Sequence, residues 1–136
     1  MRVIVCVEDR GGMTFNGRRV SRDRAVIADI VDDMNGKTVL AENYSRILFS
    51  EHSCNVIFSD SPLEAAEKGD TCFVESESLL PYAEKITALT VYRWNRRCPW
   101  DKALDVTPEM LGLRLVSTAD IEGCSHEKIT KEIYEK

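Results

Sequence analysis

Apolar positions fall into short runs divided by polar, glycine-rich or proline-marked segments, and their spacing changes from run to run. Val3-Ile4-Val5-Cys6-Val7 is continuous rather than alternating, as in a strand covered on both faces of a sheet, so Arg2 to Val7 is predicted as a strand. Glu8 to Val20 carries Gly11, Gly12, Asn16 and Gly17 and reads as a mobile or tightly turning loop. Beyond it, Val26, Ile27, Ile30, Val31 and Met34 recur at three- and four-residue spacing. They form one inward stripe of a helix, with Asp29, Asp32 and Asp33 outward. Ser21 is the expected N-cap of that helix and Asn35-Gly36 its expected end.

The same reasoning gives a second strand at Lys37 to Ala41, a short helix from Asn43 through Phe49, and a third strand at Asn55 to Phe58. Ser61 with Glu64 makes a capping box, Pro62 takes the first helical position and Gly69 follows the end. Thr71 to Val74 is a fourth strand, a helical turn is expected around Ser78 to Ala83, and Ile86 to Trp94 is the longest strand candidate. Pro99 and Pro108 bracket a loop, and Leu113 to Thr118 reads as another strand. Glu127 to Lys136 would fit a helix by pattern alone. Strands alternating with helices predict an α/β three-layer sandwich: a mostly parallel central sheet closed by antiparallel strands, in one domain over residues 1–136.

Composition changes this picture little. The chain has 136 residues, 43% hydrophobic and 30% charged, as in ordinary globular domains. The apolar start is too short for a signal-peptide core and no stretch approaches a membrane span, so a cytoplasmic protein without a membrane partner is expected. The five cysteines are scattered with no C-x-x-C pair, which points to reduced thiols. His52 and His126 are the only histidines and neither belongs to a ligand-spaced cluster, so no metal site is expected.

Charge is more informative. The net charge of −5 argues against a general nucleic-acid binder. Yet five of the eleven arginines lie in the first loop and helix start (Arg10, Arg18, Arg19, Arg22, Arg24), and three more in Tyr92-Arg93-Trp94-Asn95-Arg96-Arg97.

The order of elements also carries a resemblance. Arg2 to Val7 followed by Glu8-Asp9-Arg10-Gly11-Gly12-Met13 and Asn16-Gly17, Gly36-Lys37-Thr38-Val39-Leu40, Asn55-Val56-Ile57-Phe58-Ser59, Leu80 to Leu89, and Leu113 to Lys136 together resemble the dihydrofolate reductase family across nearly the whole chain. The resemblance implies that fold, with a C-terminal antiparallel hairpin, and turns Ile129 to Glu135 from helix to strand. The family's chemistry is not matched. Its carboxylate at the helix start, which supports protonation of the pterin, aligns with Val26, and Asp23 and Asp29 lie three residues to either side. Its Gly-Arg-Lys/His-Thr phosphate turn appears as Glu42-Asn43-Tyr44-Ser45. The glycine pair that lets backbone approach the pyrophosphate is replaced by Glu75-Ser76-Glu77-Ser78. A divergent, shortened member without cofactor is therefore expected, not an active NADPH-dependent reductase.

If the strands at Arg2–Val7 and Ile86–Trp94 are parallel neighbours, as the resemblance implies, their following loops share the carboxyl edge of the sheet, where α/β proteins bind ligands. The candidate ligand residues are Arg10, Arg18, Arg19, Arg22, Arg96, Arg97, Trp94 and Trp100. Arginine forks would hold phosphate and tryptophan would stack on a base. The plainer alternative is that the arginines pair with acids such as Asp9, Asp23 and Asp101 while the tryptophans fill the core. For catalysis, His126 beside Ser125 with Asp120 nearby is the only acid–base grouping, and Cys98 beside arginines is a candidate reactive thiol. The expected function is a non-catalytic binding or interaction module for an anionic small molecule, nucleotide or partner. A small hydrolase or nuclease on nucleotides or RNA, and a residual reductase, are the alternatives. An exposed sheet edge would also permit a homodimer.

Overall fold

Arg2–Val7 (β1) is the middle strand of a seven-stranded sheet in the computed structural model, which describes residues 1–136. In chain order follow β2 (Gly12–Phe15), β3 (Arg18–Arg19), α1 (Arg24–Met34), β4 (Val39–Glu42), a 3-10 helix Asn43–Phe49, β5 (Val56–Ser59) and α2 (Pro62–Ala65). The remainder is β6 (Thr71–Phe73), a second 3-10 helix Leu80–Lys85, β7 (Ala88–Arg93), β8 (Lys102–Ala103), β9 (Arg114–Ile121) and β10 (Ile129–Glu135). The sheet order is β5-β4-β6-β1-β7-β10-β9. The first five strands run parallel, and β10 and β9 close the sheet antiparallel. This is the expected α/β architecture, and Ile129 to Glu135 is a strand, as the family resemblance required.

Alternation along β1 sorts the core into two layers. Val3, Val5 and Val7 face a cluster with Leu40, Leu63, Cys72, Leu79, Ile86, Leu89, Val91 and Leu113. Ile4 faces Val26, Ile27, Ile30 and Met34 of α1, with Phe49, Phe73, Tyr92 and Trp94. Each fully buried aliphatic side chain in α1 contributes about 2 kcal/mol, so this stripe rather than helix propensity holds α1 in place. Asn35 ends the helix in the left-handed conformation at φ 49°, as the Asn35-Gly36 signal indicated.

Three local expectations are corrected. The segment Glu8 to Val20 is not one open loop. It contains the β2–β3 hairpin, and β8, inside the loop bracketed by Pro99 and Pro108, pairs with β2 in a separate three-stranded sheet. The N-cap of α1 is Asp23 rather than Ser21, because a carboxylate accepts the Ala25 N–H at 2.8 Å. Asp29 does not point freely outward: it accepts from the Tyr92 hydroxyl at 2.6 Å and the Lys131 ammonium at 2.8 Å.

Candidate functional site

The loops leaving β1 and β7 meet at the carboxyl edge of the sheet, joined by the Asp9 N–H donating to the Arg96 carbonyl at 3.0 Å. What stitches that edge together is a set of buried carboxylates. Glu8, fully buried directly after β1, accepts the N–H groups of Arg10 at 2.6 Å, Gly12 at 2.9 Å and Cys98 at 3.2 Å. Burial raises its pKa, but those three donors and the Arg10 charge outweigh burial and hold it below the usual range.

At the end of β4 the buried Glu42 carboxylate does the same for a different turn. Its Oε1 accepts the N–H groups of Glu75, Ser76 and Glu77 at 2.8, 2.9 and 3.1 Å, and its Oε2 accepts the Ser76 hydroxyl at 2.5 Å. Three successive N–H groups converging on one oxygen form an anion nest, and a carboxylate of the same chain fills it. Glu75, buried in turn, takes both Arg19 Nε at 2.6 Å and Arg19 Nη2 at 3.0 Å, and accepts the Ser45 hydroxyl at 2.6 Å. The Arg19 guanidinium lies over the Tyr44 ring, 4.3 Å from its centre. Burial lowers the Arg19 pKa, but the Glu75 carboxylate more than reverses this and keeps the charge in place.

The fourth carboxylate is Asp23. Besides capping α1 it accepts the N–H groups of Cys124, Ser125 and His126 at 2.9, 2.7 and 3.2 Å, and sits 3.0 Å from His126 Nδ1. Burial raises its pKa, but the Cys124 and Ser125 N–H groups, the His126 ring and the Ala25 N–H bring it down to about 2. The other ring nitrogen of His126, Nε2, lies 2.7 Å from Ser21 Oγ. The imidazole stacks on the Trp94 indole with ring centres 4.8 Å apart.

The eight candidate ligand residues are therefore divided. Arg10 donates to the Cys98 carbonyl at 3.1 Å and lies 3.5 Å from Glu8. Arg96 and Arg97 are exposed on the same loop edge, near Trp100, whose ring covers Gly12 so closely that a Cβ there would come within 2.4 Å of it. Arg18 and Arg19 line an open groove of about 500 Å³ with Phe15, Cys98 and Pro99. Arg22 instead lines a separate groove of about 280 Å³ between α1 and the 3-10 helix, with Arg24, Ile47 and His52. Trp94 is buried in the core.

His126 is buried, and its partners are Asp23 and Ser21, not Ser125 and Asp120. Ser125 offers only its N–H, and Asp120 pairs with Lys128 at 3.6 Å and Thr130 at 3.2 Å. All five thiols are unpaired. No three His, Cys, Asp or Glu side chains are grouped to hold a metal ion, and no helix is long and apolar enough to cross a membrane. Sequence reasoning missed Glu8, Glu42 and Glu75 as a set. A signal was present, since each follows directly on the last apolar residue of a parallel strand's run: Val7-Glu8, Ala41-Glu42 and Val74-Glu75.

No protein-family model and no curated protein sequence matches the chain. Among solved structures it is similar to dihydrofolate reductase from Enterococcus faecalis complexed with NADP(H) and RAB-propyl. The TM-score is 0.58 over 98% of this chain and 94% of that one, with 10% sequence identity. The fold is thus dihydrofolate-reductase-like, on a sequence that has almost nothing else in common with that enzyme.

Proposed function

We propose that the chain is a ligand-binding domain, built on a dihydrofolate-reductase-like fold, that does not carry out NADPH-dependent reduction and binds an anionic small molecule or nucleotide at its arginine-lined edge. The observation that carries the reading is Glu42. The turn Glu75-Ser76-Glu77, which stands where the family resemblance puts the glycines that meet the cofactor's pyrophosphate, has its N–H groups taken by an internal carboxylate. A dinucleotide phosphate arriving there would have to displace a hydrogen-bonded anion and would meet the negative charge of Glu75 besides. The residues present do not fit the cofactor, and no hydride chemistry is assigned to them. Val26, aligned with the family's pterin carboxylate, is fully buried in the apolar face of α1.

The anion site is supported by what remains uncommitted. Arg18, Arg96 and Arg97 are exposed with no carboxylate within ion-pair distance, and Arg18 lines the groove to which Phe15 and Pro99 contribute apolar surface, while Arg96 and Arg97 directly precede its Cys98 and Pro99 in the chain. Such guanidinium groups suit the planar bidentate recognition of phosphate. Arg19 does not belong to this free set, because its removal would strand the buried Glu75.

The test is a thermal-shift titration with ATP and inorganic pyrophosphate at low and high salt, on the wild type and on Arg18→Ala with Arg97→Ala. The expected result is a salt-sensitive stabilisation that weakens by roughly tenfold in apparent affinity in the double variant. Equal stabilisation of wild type and variant, or none for either, contradicts the anion site.

A further inference from the structure

Ser21 Oγ, His126 and Asp23 form an unbroken hydrogen-bonded chain: 2.7 Å from Oγ to Nε2, then 3.0 Å from Nδ1 to the carboxylate. A carboxylate that stays ionised far into acid fixes the imidazole with its proton on Nδ1, so Nε2 is left to accept from the serine hydroxyl. This is the order of groups a serine nucleophile needs: a base within reach of Oγ, and the base oriented by a third group. The three residues come from the segment before α1, the helix cap and the β9–β10 turn. None of their sequence spacings announced the grouping.

A second observation lies beside it. Trp94 Nε1 is buried and has no hydrogen-bond partner, and Trp94 lines, together with Ser21, two small cavities of about 10 and 20 Å³. An orphaned N–H in the interior is costly unless something accepts from it. An oxygen of a molecule bound next to Ser21 would supply that acceptor. Of the remaining groups around these cavities, Arg19 is committed to Glu75, and burial together with the Glu75 charge pushes the Cys6 thiol so far up that it does not compete as nucleophile.

We propose that Ser21, His126 and Asp23 constitute a hydrolytic site for small carboxylic esters, with the Trp94 indole N–H as donor to the oxygen that becomes negative. In the first half-reaction Oγ attacks the ester carbonyl carbon as its proton passes to His126 Nε2. The carbonyl oxygen gains charge toward Trp94 Nε1, the bond to the leaving alcohol breaks, and the alcohol oxygen takes the proton from Nε2. In the second, water attacks the acyl-serine, gives its proton to Nε2, and the carboxylic acid departs as Oγ recovers the proton. Ester and water become acid and alcohol. Asp23 stays ionised throughout and is a positioning residue. The two cavities that Ser21 lines hold groups of about the size of one or two waters, so the acyl part is short, of the size of an acetyl group.

The probe is 4-nitrophenyl acetate, with nitrophenolate release followed over time and acetylation located by mass spectrometry after acid quench. The expected result is an acetyl adduct on Ser21 and a hydrolysis rate that falls roughly tenfold or more in Ser21→Ala, whose fold is preserved because only one hydroxyl is removed. Ser21→Cys provides an independent arm. Its thiol would lie against the imidazole and be alkylated by iodoacetamide ahead of the exposed Cys124. Hydrolysis equal in wild type and Ser21→Ala with no adduct on Ser21, or a Ser21→Cys thiol no faster than Cys124, overturns the proposal.

Discussion

Five donors converge on the carboxylate of Asp23, four of them backbone N–H groups from two segments about a hundred residues apart in sequence. Because the folded pKa of about 2 lies below the ordinary value of 3.8, the folded state binds fewer protons than the unfolded one between those values. The stability Asp23 supplies is therefore present above roughly pH 5 and lost as pH falls toward 2, and it amounts to about 2 kcal/mol. Glu8 and Asp105, also held low after burial is opposed by backbone N–H and, for Asp105, the Ser78 hydroxyl, act in the same direction. Urea unfolding at stepped pH should show stability falling below pH 5, and Asp23→Asn should flatten that fall while lowering stability near neutrality. Gly123 permits this approach: a Cβ there would come within 2.5 Å of the His126 carbonyl and 2.8 Å of the Asp23 carboxylate. Gly123→Ala is expected to cost about 1–3 kcal/mol in the same assay.

Elements were legible in the sequence where a period or a stop signal was strong. β1 was predicted with its observed bounds because five consecutive apolar residues leave no ambiguity. The α1 stripe and its Asn35-Gly36 end were equally clear, and Ser61 does accept from the Glu64 N–H at 3.3 Å. The β2–β3 hairpin is not legible because its strands are four and two residues long and β2 finds its other partner in the distant β8, so neither strand carries a period of its own. The start of α1 was placed at Ser21 because serine and aspartate are comparable caps and the choice is made by a tertiary partner, the turn at Cys124 to His126. Arg19 on β3 and Glu75 after β6 illustrate how short elements are then fastened. Arg19→Ala should destabilise by about 3 kcal/mol because it leaves a buried carboxylate unpaired, and Arg19→Ala with Glu75→Ala should cost less than the sum of the single changes. Denaturant melts of the full mutant cycle check this, and strict additivity would contradict it.

At the scale of the whole molecule, the sheet order brings Glu8, Glu42 and Glu75 to one edge, at the ends of β1 and β4 and just past β6. No local window of sequence could show that Glu8 and Glu42 would turn inward onto backbone N–H groups there while Glu75 takes the Arg19 side chain. The arginines were visible as clusters, yet which of them are free depends on this inward turn: Arg10 and Arg19 are drawn to acids, while Arg18, Arg96 and Arg97 are left to solvent. The family resemblance reached the fold because fold depends on the order of strands and apolar faces, which 10% identity still preserves. Activity depends on single residues, which similarity of fold alone does not carry over.

The proposed reading turns on whether Glu42 and Glu75 keep a dinucleotide out. NADPH titration by quenching of tryptophan fluorescence, with and without dihydrofolate, tests it most directly. The prediction is no oxidation of NADPH with dihydrofolate, and no NADPH binding beyond the salt-sensitive binding that ATP also shows and that Arg18→Ala with Arg97→Ala weakens. Saturable micromolar binding with dihydrofolate-dependent loss of NADPH absorbance would contradict it.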